Sequence, residues 1–506
     1  MVMGAQHGSP KAKSGGSVAH PGSATTMGDM RSLLVGAALA ALGAVPAIVV
    51  ACGTSASEGA AAAPPVENAE ASADVSVTFD AAALPPAKGD PCRGVPMPVD
   101  QHHVPAGMCA SIVTGSVGSL RQITFAPNGD MFGVTSSGSI KRFHDADGDG
   151  FFQLGEITTY AETGGNGNNA HIDPVSGYLY AGSVQGVKRW PYGPTATSGG
   201  AGEDVITGQP ADGHAKHTVH VYDGFVYVHS GSASNMAAPK SPEYDDQRSL
   251  IRRYPLSAFK AGTPLAWLSG EVVTVGLRNA NGFTKNAAGR MYAVVNGMDD
   301  IGYQGANLHN DNPGEQLVEI AMGKKYGYPY CFTAQRVVTG GANVVAPGTQ
   351  LQPTGGVHDD AWCLANSSPP TTFIQAHSAP LDLVFFDRQP KGGMPDRYRG
   401  GAFVALHGSW DRSPNTGYKV IWIPFDAAGK APMPTSTATD TTFPYETVFG
   451  GGDASGPKDG SWSWTTKDDS DQPRFAGVAI SPIDGALYMS SDSGGYVYRL
   501  GQAPPN

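Results

Sequence analysis

The chain has 506 residues, 40% hydrophobic and 15% charged, enough to bury a substantial core in one large domain or several ordinary ones. Its 68 glycines and 39 prolines, with no long apolar-periodic segment beyond about residue 55, favour short strands and turns over helices. A net charge of -11 with no basic footprint excludes nucleic acid as a partner and leaves small neutral or cationic ligands open.

Residues 1–51 read as a targeting segment. Translation is expected to start at Met27 or Met30. Arg31 then precedes an apolar run from Leu33 to Val50, and the run ends at Val49-Val50-Ala51-Cys52. Those last four residues resemble a bacterial lipobox, whose cysteine is diacylated and begins the mature protein. The expectation is an exported lipoprotein, periplasmic or at the cell surface, held to a membrane through Cys52. A transmembrane helix is the competing reading, but the Ala and Gly content of the run makes it weakly apolar. Residues 52–90 are Ala, Ser, Glu and Pro with almost no aromatic side chain, which predicts a disordered tether. The folded part is expected over residues 91–503.

Four cysteines follow Cys52, namely Cys92, Cys109, Cys331 and Cys363, and an even number in an exported chain points to disulfides. Sequence proximity favours Cys92 with Cys109 and Cys331 with Cys363, with free buried thiols as the alternative. No CxxC spacing supports a metal site.

From about residue 118 one pattern recurs: an apolar strand, a glycine turn, and a second strand that opens on apolar and aromatic residues. The turns fall at Gly129, Gly177, Gly224, Gly289 and Gly485, and a sixth copy lies around Arg399–Ala405. Glycine supplies the positive φ of a tight hairpin, and the first three turns are roughly 48 residues apart, the length of a four-stranded propeller blade. Hairpins of this kind cannot bury both faces alone, and radial packing solves that problem. The predicted fold is all-β, a six-bladed β-propeller of four-stranded antiparallel blades, with ligands at the channel mouth.

Asp145, Asp147 and Asp149, followed by Gly150 and by Glu156 at the twelfth position, match a calcium loop: oxygens at alternate residues, a glycine at the sharp turn and a closing carboxylate. It is expected to be a structural site between blades 1 and 2. His214, just ahead of the third blade's inner strand, places an imidazole at the mouth, where a neutral histidine can accept a proton. His217, His220 and His229 are nearby alternatives, the last two reading as strand-face residues. Arg278 and Asn279 lead into the fourth inner strand, and a guanidinium there suits a flat carboxylate-bearing ligand. Glu315 with backbone carbonyls near Gly297 is a candidate for a second, catalytic Ca²⁺.

Gly276-Leu277-Arg278-Asn279, Tyr326-Gly327-Tyr328-Pro329-Tyr330, His377-Ser378-Ala379-Pro380, His407-Gly408-Ser409-Trp410-Asp411-Arg412 and Pro473-Arg474-Phe475-Ala476 resemble, in order, the glucose/sorbosone dehydrogenase family. The resemblance spans about residues 118–500. It implies a propeller holding pyrroloquinoline quinone (PQQ) and Ca²⁺ over the channel, with His214 as general base. Arg278, Asn279 and Arg474 are implied as quinone contacts, and Arg412 as a looser one. It further implies oxidation of the C1 hydroxyl of an aldose or related sugar or alcohol: His214 takes the proton, hydride passes to the Ca²⁺-polarised quinone, and electrons leave to an acceptor of the respiratory chain. Asn166 stands where many members carry glutamine as a cofactor contact, and Ala476 where some carry a second arginine. Those departures keep open a non-catalytic propeller that binds a glycan or protein. A calcium-dependent lactonase-like hydrolase would share the fold but has no need of the cations Arg278, Arg412 and Arg474.

Overall fold

A computed structural model describes residues 92–97, 102–237, 244, 247–339, 342–343, 345–387, 393–436, 441–451 and 473–503. The targeting segment, Cys52 and the tether lie outside the described residues. Among the described residues no helix is long and apolar enough to cross a membrane.

The strands form six radial sheets as predicted; three have the expected four antiparallel strands, and three carry a short fifth strand, which in blades 2 and 3 pairs parallel. From the channel outward, blade 1 is Leu120–Phe125, Met131–Thr135, Ser139–Phe143 and Ile157–Glu162. The inner strands of the next four are Gly167–Asp173, Val219–Tyr222, Asn279–Lys285 and Pro380–Phe385. Blade 6 runs from Phe475–Ile480 through Leu487–Ser491 and Val497–Gln502, and its fourth strand is Met108–Ile112 from the other end of the chain, edged by Val95–Pro96. That strand pairs antiparallel with the C-terminal one, Met108 opposite Gln502 and Ile112 opposite Tyr498, so the ring closes by backbone hydrogen bonds. The predicted hairpins at Gly129, Gly177, Gly224, Gly289 and Gly485 each join an inner strand to the next, and Ala402–Leu406 realises the sixth copy.

Side-chain alternation explains why six sheets make one body. In the blade 4 strand Met291–Asn296, Met291, Ala293 and Val295 pack towards blade 3, while Tyr292 and Val294 pack towards blade 5. Each of the six blade interfaces has its own apolar core, and the last joins Leu120, Met131 and Phe143 to Tyr488 and Val497. A fully buried side chain of this size contributes about 1.5–3 kcal/mol. At the axis the inner strands come so close that a Cβ on Gly282 would stand 2.4 Å from Asp382 Cα.

Both cysteine pairings expected from proximity are present, Cys92 with Cys109 and Cys331 with Cys363. The first ties the preceding segment to the closing strand. A Cys92→Ser, Cys109→Ser double variant is expected to lose about 3 kcal/mol, the entropy of freeing a loop of this length, seen as a lower denaturant midpoint at unchanged slope. The calcium-type loop differs from expectation in position: it joins the third and fourth strands of blade 1 rather than linking blades 1 and 2. The blade's outer strand comes after the acidic turn, which the hairpin pattern alone did not register.

Candidate active site

Antiparallel pairing brings the starts of the inner strands and the ends of the second strands to one end of the channel. At that front mouth lie His214, Arg278, His377 and Arg474 ahead of inner strands, and Asp299, His407 and Asp492 after second strands. In five of the six blades the inner hairpin carries a β-bulge near its start, and a bulge re-aims side chains. Gln122 thereby reaches across the axis, its Nε2 donating to the carbonyls of Asn281 at 2.8 Å and Leu381 at 2.7 Å. Thr218 Oγ1 donates to the same Asn281 carbonyl at 2.6 Å. This polar plug closes the channel behind the mouth. Beyond it, at the rear end, a cavity of about 440 Å³ is lined by His171, His220, Tyr222 and Asp382 among others.

His214 is held in one tautomer. Its Nδ1 is 2.8 Å from Ser232 Oγ, and that hydroxyl donates its own proton to the Ser234 carbonyl at 2.8 Å. Ser232 therefore accepts from Nδ1–H, which leaves the lone pair on Nε2. Burial, and then the Arg278 guanidinium, lower the His214 pKa to about 4. The ring is a neutral acceptor at ordinary pH. His217 and His229 are fully buried, with His229 Nε2 accepting from the Ala280 amide at 3.1 Å, and His220 lies in the rear chamber.

Four cations meet the mouth. Arg278 is fixed by the Asn235 carbonyl and side chain and by Asp299 Oδ2, each at 3.1 Å. Arg474 donates to the carbonyls of His407 at 3.3 Å and Gly408 at 3.2 Å. Arg121 pairs with Asp492 at 2.7 Å, and the other carboxylate oxygen meets His407 Nε2 at 2.8 Å. Burial works against charge on Asp492, yet His407 and Arg121 hold its pKa well below the usual carboxylate range. Lys216, two residues beyond His214, lies near Arg121 and Asp492, and burial, followed by Arg121, lowers its pKa to about 8 although Asp492 opposes the shift. Sequence reasoning missed Arg121, Lys216, His407 and Asp492 as a group. The one signal was their placement beside inner-strand starts.

The remaining sequence candidates separate. Asn279 Nδ2 donates to Asn296 Oδ1 at 3.1 Å beside the mouth. Asn166 is exposed, whereas Asn168 reaches the channel, donating to Thr218 Oγ1 at 2.8 Å and accepting from Arg121 at 3.4 Å. The bulge between Gly167 and Ala170 sets which asparagine faces inward. Arg412 is engaged by the Asn310 and Pro414 carbonyls. Glu315 is buried, its two oxygens accepting from the amides of Gly297 at 2.7 Å and Ala379 at 3.2 Å, and burial raises its pKa to about 7. It braces the Gly297 turn. In the blade 1 loop, Asp145 accepts from the amides of Gly148 and Gly150, and Glu156 from those of Ala146 and Gln153. The carboxylates of Asp145, Asp147 and Asp149 converge closely enough to share one ion.

Propeller and mouth together define a six-bladed β-propeller with a cationic ligand site at one end of its channel. Residues 102–503 match the family model described as TrAA12-like, and the chain belongs to that family. It is 28% identical over 355 residues to a pyrroloquinoline quinone-dependent pyranose dehydrogenase of Coprinopsis cinerea, covering 67% of this chain and 47% of the relative. The chain thus spans about half the length of that relative. A pyrroloquinoline quinone-dependent sugar dehydrogenase of Hypocrea jecorina is 26% identical over 410 residues, 76% of this chain and 85% of the relative. The holo PQQ domain of the Coprinopsis enzyme superposes with a TM-score of 0.68 at 25% identity, covering 81% of this chain and 99% of the domain.

The mouth fits the group that those relatives use. PQQ is a planar quinone with three carboxylates, and the half-buried Lys216 ammonium together with the mouth guanidiniums Arg121, Arg278 and Arg474 is a donor set that suits such a ligand. Glu315 holds the Gly297 amide at 2.7 Å and so fixes this turn of backbone beside the mouth.

Proposed function

We propose that the chain is a PQQ-dependent dehydrogenase that oxidises the C1 hydroxyl of an aldose or related sugar, with His214 as general base. The observation that supports this most directly is the tautomer of His214, whose Nε2 lone pair is directed by Ser232 and kept unprotonated. Arg278, Asn279, Arg474 and Lys216 would hold the quinone, Gly297 and Glu315 would position Ca²⁺, and the blade 1 loop of Asp145, Asp147, Asp149 and Glu156 would hold a structural Ca²⁺. When bound, the quinone supplies a two-electron acceptor and Ca²⁺ polarises its reacting carbonyl. The protein orients the sugar carbon towards that plane, removes the hydroxyl proton at His214 Nε2 and excludes water with the plug of Gln122, Thr218 and Asn281. Export and the Cys52 lipid anchor would place the enzyme beside its electron acceptor in the respiratory chain.

The test is dye-linked oxidation of a panel of aldoses and alcohols, with and without added PQQ and Ca²⁺. Turnover that requires both supports the reading. Quinone binding without turnover of any substrate would leave a propeller used for binding alone. The pH profile adds a second expectation. His214 acts in its neutral form, which dominates above its lowered pKa, so kcat/KM should hold from pH 7 down to about 5. The fall on the acid side should come near pH 4. An acid limb near the ordinary histidine value of about 6.5 would mean that a more exposed histidine is the base.

A further inference from the structure

Beside Arg278, on the blade 4 and blade 5 side of the mouth, lies a cluster that the proposed chemistry does not use. His377 is buried, and its Nε2 points at the carbonyls of His309 and, at 3.2 Å, Asn312. That direction leaves Nδ1 facing two carboxylates, Asp411 Oδ1 at 3.5 Å and Asp299 Oδ1 at 3.6 Å. Neither carboxylate oxygen of Asp411 has a hydrogen-bond partner among the described residues, although both atoms are buried. A buried carboxylate without a donor is costly unless something absent from the protein atoms satisfies it.

The spacing decides between two explanations. An imidazolium bonded to a carboxylate closes to about 2.8 Å, and neither oxygen does so. Atoms sharing a metal ion at bonds of about 2.1 Å stand about 3.4 Å apart at the tetrahedral angle. An N–H given to a backbone carbonyl is also the usual outer contact of a metal-bound imidazole. His309 stands at the edge: its Nδ1 accepts the Asp300 amide at 3.2 Å, and its Nε2 is 2.9 Å from the Asp411 carbonyl and 3.8 Å from Asp411 Oδ2. Asp299 links the cluster to the mouth through Arg278.

We infer that His377 Nδ1, Asp411 and His309 form a site for a divalent first-row transition ion such as Zn²⁺ or Mn²⁺, with Asp299 as a further carboxylate beside it. Two imidazoles with a carboxylate favour such an ion over Ca²⁺, which prefers oxygen alone. The site would lock the loops that carry Asp299 and Asp411 and so fix Arg278.

The test is calorimetric titration of Zn²⁺ into the purified full chain, stripped with chelator and free of PQQ, with Co²⁺ absorption as a spectroscopic check. One equivalent is expected to bind with a Kd below about 1 µM and to survive excess Ca²⁺. Asp411→Asn should weaken binding by about 10- to 100-fold and alter the Co²⁺ bands. Because the Asp411 oxygens make no hydrogen bonds, this isostere should fold normally; His377→Gln should weaken binding further. His214→Ala should bind Zn²⁺ as the unmodified chain does, so failure of the dehydrogenase reading leaves this result intact. Equal binding by Asp411→Asn, ready displacement by Ca²⁺, or no binding would each overturn the inference and leave an ion-paired histidine.

Discussion

Replacing His214 with alanine is expected to lower kcat/KM for sugar oxidation by about 10²- to 10⁴-fold, the usual contribution of a positioned general base. Quinone affinity should change little, because the imidazole is neutral and contributes no charge to the carboxylates. The melting temperature should also stay close to that of the unmodified chain. His214 loses one side-chain bond, to Ser232, whose hydroxyl keeps its bond to the Ser234 carbonyl. His214→Gln would keep a hydrogen bond to Ser232 yet offer no basic nitrogen, so it should be as inactive as the alanine variant. Recovery of activity in His214→Gln would show that the ring positions substrate and that the proton goes elsewhere. Steady-state kinetics with an artificial acceptor, alongside quinone binding by absorbance, separates these outcomes.

Replacing Lys216 with methionine should act in opposite directions on the two states of the protein. With PQQ the affinity should fall about 100-fold, the loss of one charge-assisted contact in a partly desolvated mouth. Without PQQ the fold should be as stable or more so. The folded chain binds the Lys216 proton less tightly than the unfolded chain, with a pKa near 8 against the ordinary lysine value. The penalty for burying the ammonium is therefore full below pH 8 and lifts as pH rises through the ordinary lysine range. Thermal unfolding at pH 7 with and without PQQ reads both effects. A variant that loses stability in the absence of quinone would mean that the amine has a structural partner and is not held for a ligand.

Much of the architecture was legible because it rests on local rules. The turn glycines and alternating apolar strands specified hairpins, and hairpins with two apolar faces have few ways to be buried. The cysteines were close enough in the chain for proximity to select both bridges. His214 and Arg278 were found because the residues before an inner strand of a propeller must fall at one mouth, and Arg474 through the family resemblance.

What the sequence by itself determined is the class of fold, the number of blades and some of the residues able to reach the channel. Only the tertiary structure decided which of them meet. The bulge in blade 2 turns Asn168 inward and leaves Asn166 exposed, a change of face that one extra backbone residue produces. Arg121 and Asp492 are 371 positions apart yet form one ion pair because the ring closes between blades 6 and 1. Lys216 draws its character from burial and then from Arg121, and Asp411 faces His377 across loops from different strands. Charge, burial and ligand geometry are properties of neighbours in space, and in a closed ring those neighbours come from the whole length of the chain.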